Sequence, residues 1–96
     1  MLTINPTLYE RLAELLVEEI DGRSYYSDII LFEDSEADYT FSATLMVYYS
    51  MQHAIDGSVA EISNILPIWW EFHSFTEDGE RLNDFDFNLL KQIVCR

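Results

Sequence analysis

Basic residues are scarce in this chain: five Lys and Arg stand against 18 Asp and Glu, a formal net charge of −13 at pH 7. Direct binding to DNA or RNA needs cations that displace counterions from phosphate, and five scattered ones exclude that class. An anionic membrane surface is excluded for the same reason. A cationic partner, either a basic protein face or a divalent metal, stays allowed. Cysteine occurs once, as Cys95, so no intramolecular disulfide staples the fold, which fits a reducing compartment. Long apolar runs are missing too. The longest uncharged stretch, residues 39–55, contains Thr40, Ser42, Thr44, Ser50, Gln52 and His53 and alternates, so it reads as a strand and not a membrane span. The opening Met-Leu-Thr-Ile-Asn-Pro lacks the basic and apolar regions of a signal peptide, and a cytoplasmic location is expected. No internal repeat and no low-complexity tract is present.

What the chain does contain argues for folding. It is 49% hydrophobic and 15% aromatic, whereas acidic disordered tails lack aromatics and β-branched runs. Its 96 residues allow one domain, residues 1–96, with one modest core. The acid is then a negative skin, which in its plainest reading keeps an aromatic-rich domain soluble.

Asn5 as N-cap and Pro6 at the first helical position open a helix whose apolar residues Leu8, Leu12, Leu15, Leu16 and Ile20 recur at helical spacing. Gly22 is placed to stop it near Asp21. Residues 25–33 are rich in strand formers, and 34–38 form a turn cluster. From Tyr39 to Tyr49 the odd positions Tyr39, Phe41, Ala43, Leu45, Val47 and Tyr49 alternate with Thr40, Ser42, Thr44, Met46 and Tyr48, so the odd set is expected to face the helices. Asp56-Gly57 is a good turn dipeptide, and residues 58–64 fit either a strand or a short helical turn. Pro67 is expected to open or edge a third strand with Ile68, Trp70 and Phe72 on one face and Trp69, Glu71 and His73 on the other. After a polar turn at 76–80, Asp86 caps a last helix with Phe85 and Leu90 at staple spacing and Leu89, Leu90, Ile93 and Val94 as its buried stripe.

The expected fold is α+β: a two-layer sandwich in α-β-β-β-α order, with a three-stranded antiparallel meander and both helices on one face. This order is similar to that of the double-stranded-RNA-binding domain. The basic residues that such a domain sets on phosphate are missing, so the likeness implies topology alone.

Three constellations bear on function. Glu10, Glu14 and Glu18 fall at i, i+4 and i+8, a carboxylate about every 6 Å along one helix face. Like charges at that spacing cost about 0.2–0.5 kcal/mol per pair, and Arg11 relieves Glu14 only in part. The plain reading is a solvated face. The functional one is a surface that meets something basic, in one version the nucleic-acid site of a basic protein. Trp69, Glu71 and His73 share a strand face, with Thr44, Met46 and Tyr48 expected beside them. A carboxylate next to an imidazole suits acid–base chemistry, but no nucleophile, oxyanion element or glycine-rich loop accompanies it, so an interaction surface or dimer interface is the plainer reading. Third, Ile29, Ile30, Leu31 and Phe32 do not alternate, which suggests cover on both faces of that strand, by residues 52–64 or by a second copy of the chain.

Other patterns fail. Asp34-x-Glu36-x-Asp38 lacks the Gly and Glu of a calcium loop, Tyr39 and Leu45 standing in those places. His53, His73 and Cys95 have no zinc spacing. No catalytic residue, cofactor or metal ligand is assigned. The chain is expected to be a non-enzymatic interaction module and homodimer, with a basic protein as partner, using Glu10, Glu14, Glu18, Tyr48, Trp69, Glu71 and His73. The competing readings are a small enzyme or ligand-binding domain built on Glu71 and His73, and an accessory subunit with a purely structural role.

Overall fold

Helix α1 spans Pro6–Ile20 and starts as its cap requires: Asn5 is extended, and its side chain accepts from the Leu8 amide at 2.9 Å. The computed structural model describes residues 1–54 and 57–96. At its other end α1 stops on Asp21, which takes the left-handed conformation (φ 48°, ψ 49°) ahead of Gly22. Asp tolerates that region better than most residues. The Arg23 guanidinium closes the end by donating to the Glu19 and Ile20 carbonyls, which the helix leaves without partners.

Strands β1 (Tyr25–Glu33), β2 (Asp38–Ala54), β3 (Gly57–Thr76) and β4 (Gly79–Arg81) form one antiparallel sheet in the order β1-β2-β3-β4. Helix α2, Phe87–Val94, follows, and the Asp86 side chain accepts from the Asn88 amide at 2.9 Å. The α+β class stands, but the three-stranded meander becomes four-stranded. The expected turn at 76–80 narrows to residues 77–78, because Gly79 opens β4, a strand of only three residues. Residues 57–64 belong to β3, and β2 runs past Tyr49, so the two central strands form one long hairpin. The expected Asp56-Gly57 turn lies outside the described residues.

Partners across an antiparallel ladder share a face. On the inner face Tyr26 pairs with Leu45, Ile30 with Phe41 and Phe32 with Tyr39, and all six are buried. Ala43 and Val47 complete the odd-numbered stripe of β2, and Ile65 and Phe72 add to it from β3. Leu8, Leu12, Leu16 and Ile20 of α1 and Phe87, Leu90 and Val94 of α2 belong to the same buried cluster. Aromatic rings tie its layers together: Phe72 stacks on Phe85 with centroids 4.1 Å apart, Tyr9 on Phe85 at 5.3 Å, and Phe41 on Phe87 at 6.5 Å.

Two side-chain assignments change. The β2–β3 register shifts between Thr44, opposite Trp69, and Leu45, opposite Pro67. Ile68 falls in that irregularity and is 62% exposed, so it leaves the stripe expected with Trp70 and Phe72. Leu89 is exposed on α2, and Phe87 takes its place in the core. Polar groups at the base are satisfied. Ser74, fully buried, donates to the Arg81 carbonyl at 2.6 Å and accepts from Asn83 at 3.1 Å. Leu2 is stitched to the β4–α2 connection through the Leu82 carbonyl and the Asp84 amide.

Candidate functional site

The outer face of the sheet carries Tyr25, Ser27, Ile29 and Leu31 from β1, Thr40, Ser42, Thr44, Met46 and Tyr48 from β2, and Asn64, Leu66, Trp69, Glu71 and His73 from β3. Leu31 is 70% exposed and Ile29 52%, and Tyr25, Tyr48, Leu66 and Trp69 are each about half exposed. Ser27 and Thr44 hydrogen-bond across the β1–β2 ladder at 2.9 Å. The Ile29–Phe32 run therefore divides: Ile30 and Phe32 enter the core, while Ile29 and Leu31 face outward. Residues 57–64 do not cover them, because they continue the hairpin beyond the end of β1 at Tyr25, opposite Met46.

Between Leu31 and Tyr48 the ionisable acid–base groups on this face are Glu71 and His73, and they are bonded to each other. His73 Nε2 lies 3.0 Å from Glu71 Oε2, and its Nδ1 lies 3.2 Å from Glu80 Oε1 on β4. The Glu71 carboxylate foremost, then Glu80, raises the His73 pKa above 6.5, with partial burial working the other way. Both ring nitrogens donate when the ring is an imidazolium, so the arrangement fits a cation pinning the β3–β4 hairpin. It leaves neither nitrogen free to take a proton as a base. The carboxylates flank opposite edges of the ring and do not converge. Among the described residues no group of three His, Cys, Asp or Glu is placed to hold a metal ion. A hollow of about 320 Å³ lies beside His73 and Glu80, walled by Trp70, Phe72, Leu82 and Phe85. Glu71 does not line it.

Sequence reading placed Tyr48, Trp69, Glu71 and His73 together, and the sheet does carry them on one side. Its neighbour assignments were partly displaced: Trp69 lies opposite Thr44, but Glu71 faces Ser42 and His73 faces Thr40. Glu80 was missed because a three-residue strand has no periodicity to read. Tyr25, Ile29 and Leu66 were missed as members of the patch, although the unbroken run at 29–32 held the signal for Ile29.

Glu10, Glu14 and Glu18 lie elsewhere, on α1. Arg11 turns away and donates to the Glu33 carbonyl, while Arg96 reaches Glu10 with Nη2 2.6 Å from Oε2. At the Asp34–Asp38 turn, Asp34 Oδ1 accepts from the Glu36 and Ala37 amides at 2.7 and 3.0 Å. Partial burial works to raise the Asp34 pKa, but these amides, the Tyr39 hydroxyl and Arg11 together hold it below the ordinary value. The carboxylate is thus used up in closing the turn. Cys95 is half-buried, and burial raises its thiol pKa against the opposing effects of the Ile65 backbone and Lys91, which disfavours the reactive thiolate.

No described helix is long and apolar enough to cross a membrane. Comparison with family models, with curated proteins and with solved structures gives no match.

Proposed function

We propose that this chain is a non-enzymatic protein-interaction module: a single cytoplasmic domain whose helices cover one face of its sheet and whose bare face meets a second copy of itself. The helical cover is supported by the contacts of Phe85 and Phe87 with Phe41 and Phe72 and by the shared buried cluster. The observation that carries the reading is the charge pattern. On a chain of net charge −13, the outer face sets its exposed Tyr25, Tyr48, Leu66 and Trp69 apart from its carboxylates Glu33, Asp38, Glu71 and Glu80, which lie toward the β1–β2 turn. Two copies repel each other most where acid is dense, so this is the face on which they can meet at least electrostatic cost. A two-fold contact is self-complementary, and sheet faces pack about 10 Å apart with side chains interleaved. Along the part of β3 that β4 leaves unpaired, edge pairing is opposed by Pro67, which has no amide hydrogen to offer.

The reading as a small enzyme or ligand-binding domain centred on Glu71 and His73 is weakened by the engagement of both ring nitrogens. Light scattering tests the favoured one. At about 100 µM, a concentration that populates even weak dimers, the wild-type chain should show twice its own mass. Trp69→Glu combined with Leu31→Glu should return it to the monomer with unchanged circular dichroism. A wild-type monomer at that concentration removes self-association.

A further inference from the structure

We propose that the seam between α1 and α2 is a docking groove for a basic amphipathic helix of another protein. This deepens the reading of the chain as an interaction module by naming the site and chemistry of a basic partner. It is independent of self-association through the sheet, because the two surfaces share no residue.

On one face of α1, Glu10, Ala13, Glu14, Val17 and Glu18 fall at i, i+3, i+4, i+7 and i+8, with Ala13 buried and Glu14, Val17 and Glu18 exposed. These residues, with Ile93, Val94 and Arg96, line a groove of about 410 Å³. A second hollow, of about 340 Å³, shares Val17, Val94 and Arg96 and continues to Tyr49, Ala60 and Ile62 of the hairpin. Apolar side chains thus form the floor and three carboxylates a rail along it. Val17, at the junction of the two hollows, is 43% exposed.

The groove sets the open Val17 beside the exposed carboxylates of Glu14 and Glu18, while Glu10 is paired with Arg96. A helix that brings Leu or Val to the floor and Lys or Arg to the rail uses both features. Apolar anchors at i, i+3 and i+4 are the recognition mode of a helix in a groove, and cations spaced every four residues match the spacing of Glu10, Glu14 and Glu18. Eight residues of α1 rise about 12 Å, enough for about two turns of the partner. Arg96 already shows how a guanidinium sits there, 2.6 Å from the Glu10 carboxylate. The −13 charge adds long-range attraction for a cationic segment.

The test uses the full chain and a fluorescently labelled, amidated peptide of Leu and Lys, about 18 residues long so that it can form a helix, with Leu on one face and Lys flanking it. Anisotropy should show this peptide binding at least about tenfold tighter than a scrambled peptide of the same composition, since only the first aligns its anchors. Glu14→Lys with Glu18→Lys should weaken it at least about tenfold. Glu36→Lys with Glu77→Lys, the same charge change on distant turns, should weaken it less than about threefold. Trp69→Glu should leave it unchanged whatever it does to the mass of the chain, so failure of the sheet-face reading does not imitate failure of this one. Equal affinity for the scrambled peptide, or equal losses from the two Lys pairs, would mean attraction by net charge alone and would overturn the groove.

Discussion

The two faces of the sheet are built from similar side chains and have opposite fates. Phe41, Leu45 and Ile30 on the inner face are buried, while Leu31, Ile29 and Trp69 on the outer face stay open. Side-chain parity on the strands separates them, not hydrophobicity. The acid of the outer face is unevenly spread: Glu33, Asp38, Glu71 and Glu80 lie toward the β1–β2 turn, away from Tyr25, Tyr48 and Leu66, while α1 and the turns carry much of the rest. A two-layer domain needs one apolar face to fold. The second face of this sheet leaves Ile29, Leu31 and Trp69 open, and the light-scattering mass tests its use for association.

Truncating each face is the strongest way to break that contrast. Phe41→Ala should cost about 3–5 kcal/mol, because it leaves a cavity among Phe85, Phe87 and Ile30. Leu31→Ala, measured at a dilution where the chain is monomeric, should stay within about 0.5 kcal/mol of the wild type. Equal losses in chemical denaturation would mean that the outer face serves folding after all.

Alkaline pH sharpens the contrast at an intermediate scale. Burial foremost pushes the Tyr26 hydroxyl up to about 12. It also pushes Tyr39 up to about 12, with the Asp34 hydrogen bond and charge adding to it. A pKa raised by folding gives stability that is whole below the unfolded value near 10 and is lost as pH climbs through the folded value. Stability should therefore fall between about pH 10 and 12. Tyr26 Oη is buried with no hydrogen-bond partner, so Tyr26→Phe should be neutral or stabilising by up to about 1 kcal/mol at neutral pH, and should reduce the alkaline loss. A marked destabilisation by Tyr26→Phe would contradict the unsatisfied hydroxyl.

The smallest effect belongs to the outer face. His73 lies between Glu71 and Glu80, and the Glu71 carboxylate foremost raises its pKa. Its contribution is whole below 6.5 and fades as pH rises through the folded value. These side chains are more than a third exposed, so solvent screening keeps the effect well under about 1 kcal/mol. Melting curves of His73→Gln and wild type should differ most below pH 6.5 and converge as pH rises through the folded value. A constant offset would assign His73 a packing role alone.

Much of this division could be read before any coordinates. Period two through Tyr39–Val47 located the inner stripe, because one long strand with one wet face leaves a clean alternation. Asn5 and Asp86 located both helix starts, because capping is local chemistry. What escaped was set by pairing. The shift opposite Thr44 and Leu45 resets parity along β3 and throws Ile68 outward, and no property of Ile68 itself signals this. β4 is too short for a pattern and exists because Ser74 and Phe75 offer it an edge. The Glu10–Glu14–Glu18 row was visible as a row, but the Val17 and Ile93 floor beside it arises only when α1 and α2 lie together. Likewise, the exposure of Ile29 and Leu31 follows from where the long hairpin runs, a non-local outcome.

Cys95, the sole thiol, closes α2 beside Ile65 of β3. Its side chain is half-buried there, and burial raises the thiol pKa, which disfavours the reactive thiolate. Release of α2 from the strand beneath would expose it further and should quicken its capture by an alkylating reagent. One atom thus reports on the contact between the last helix and the strand it touches.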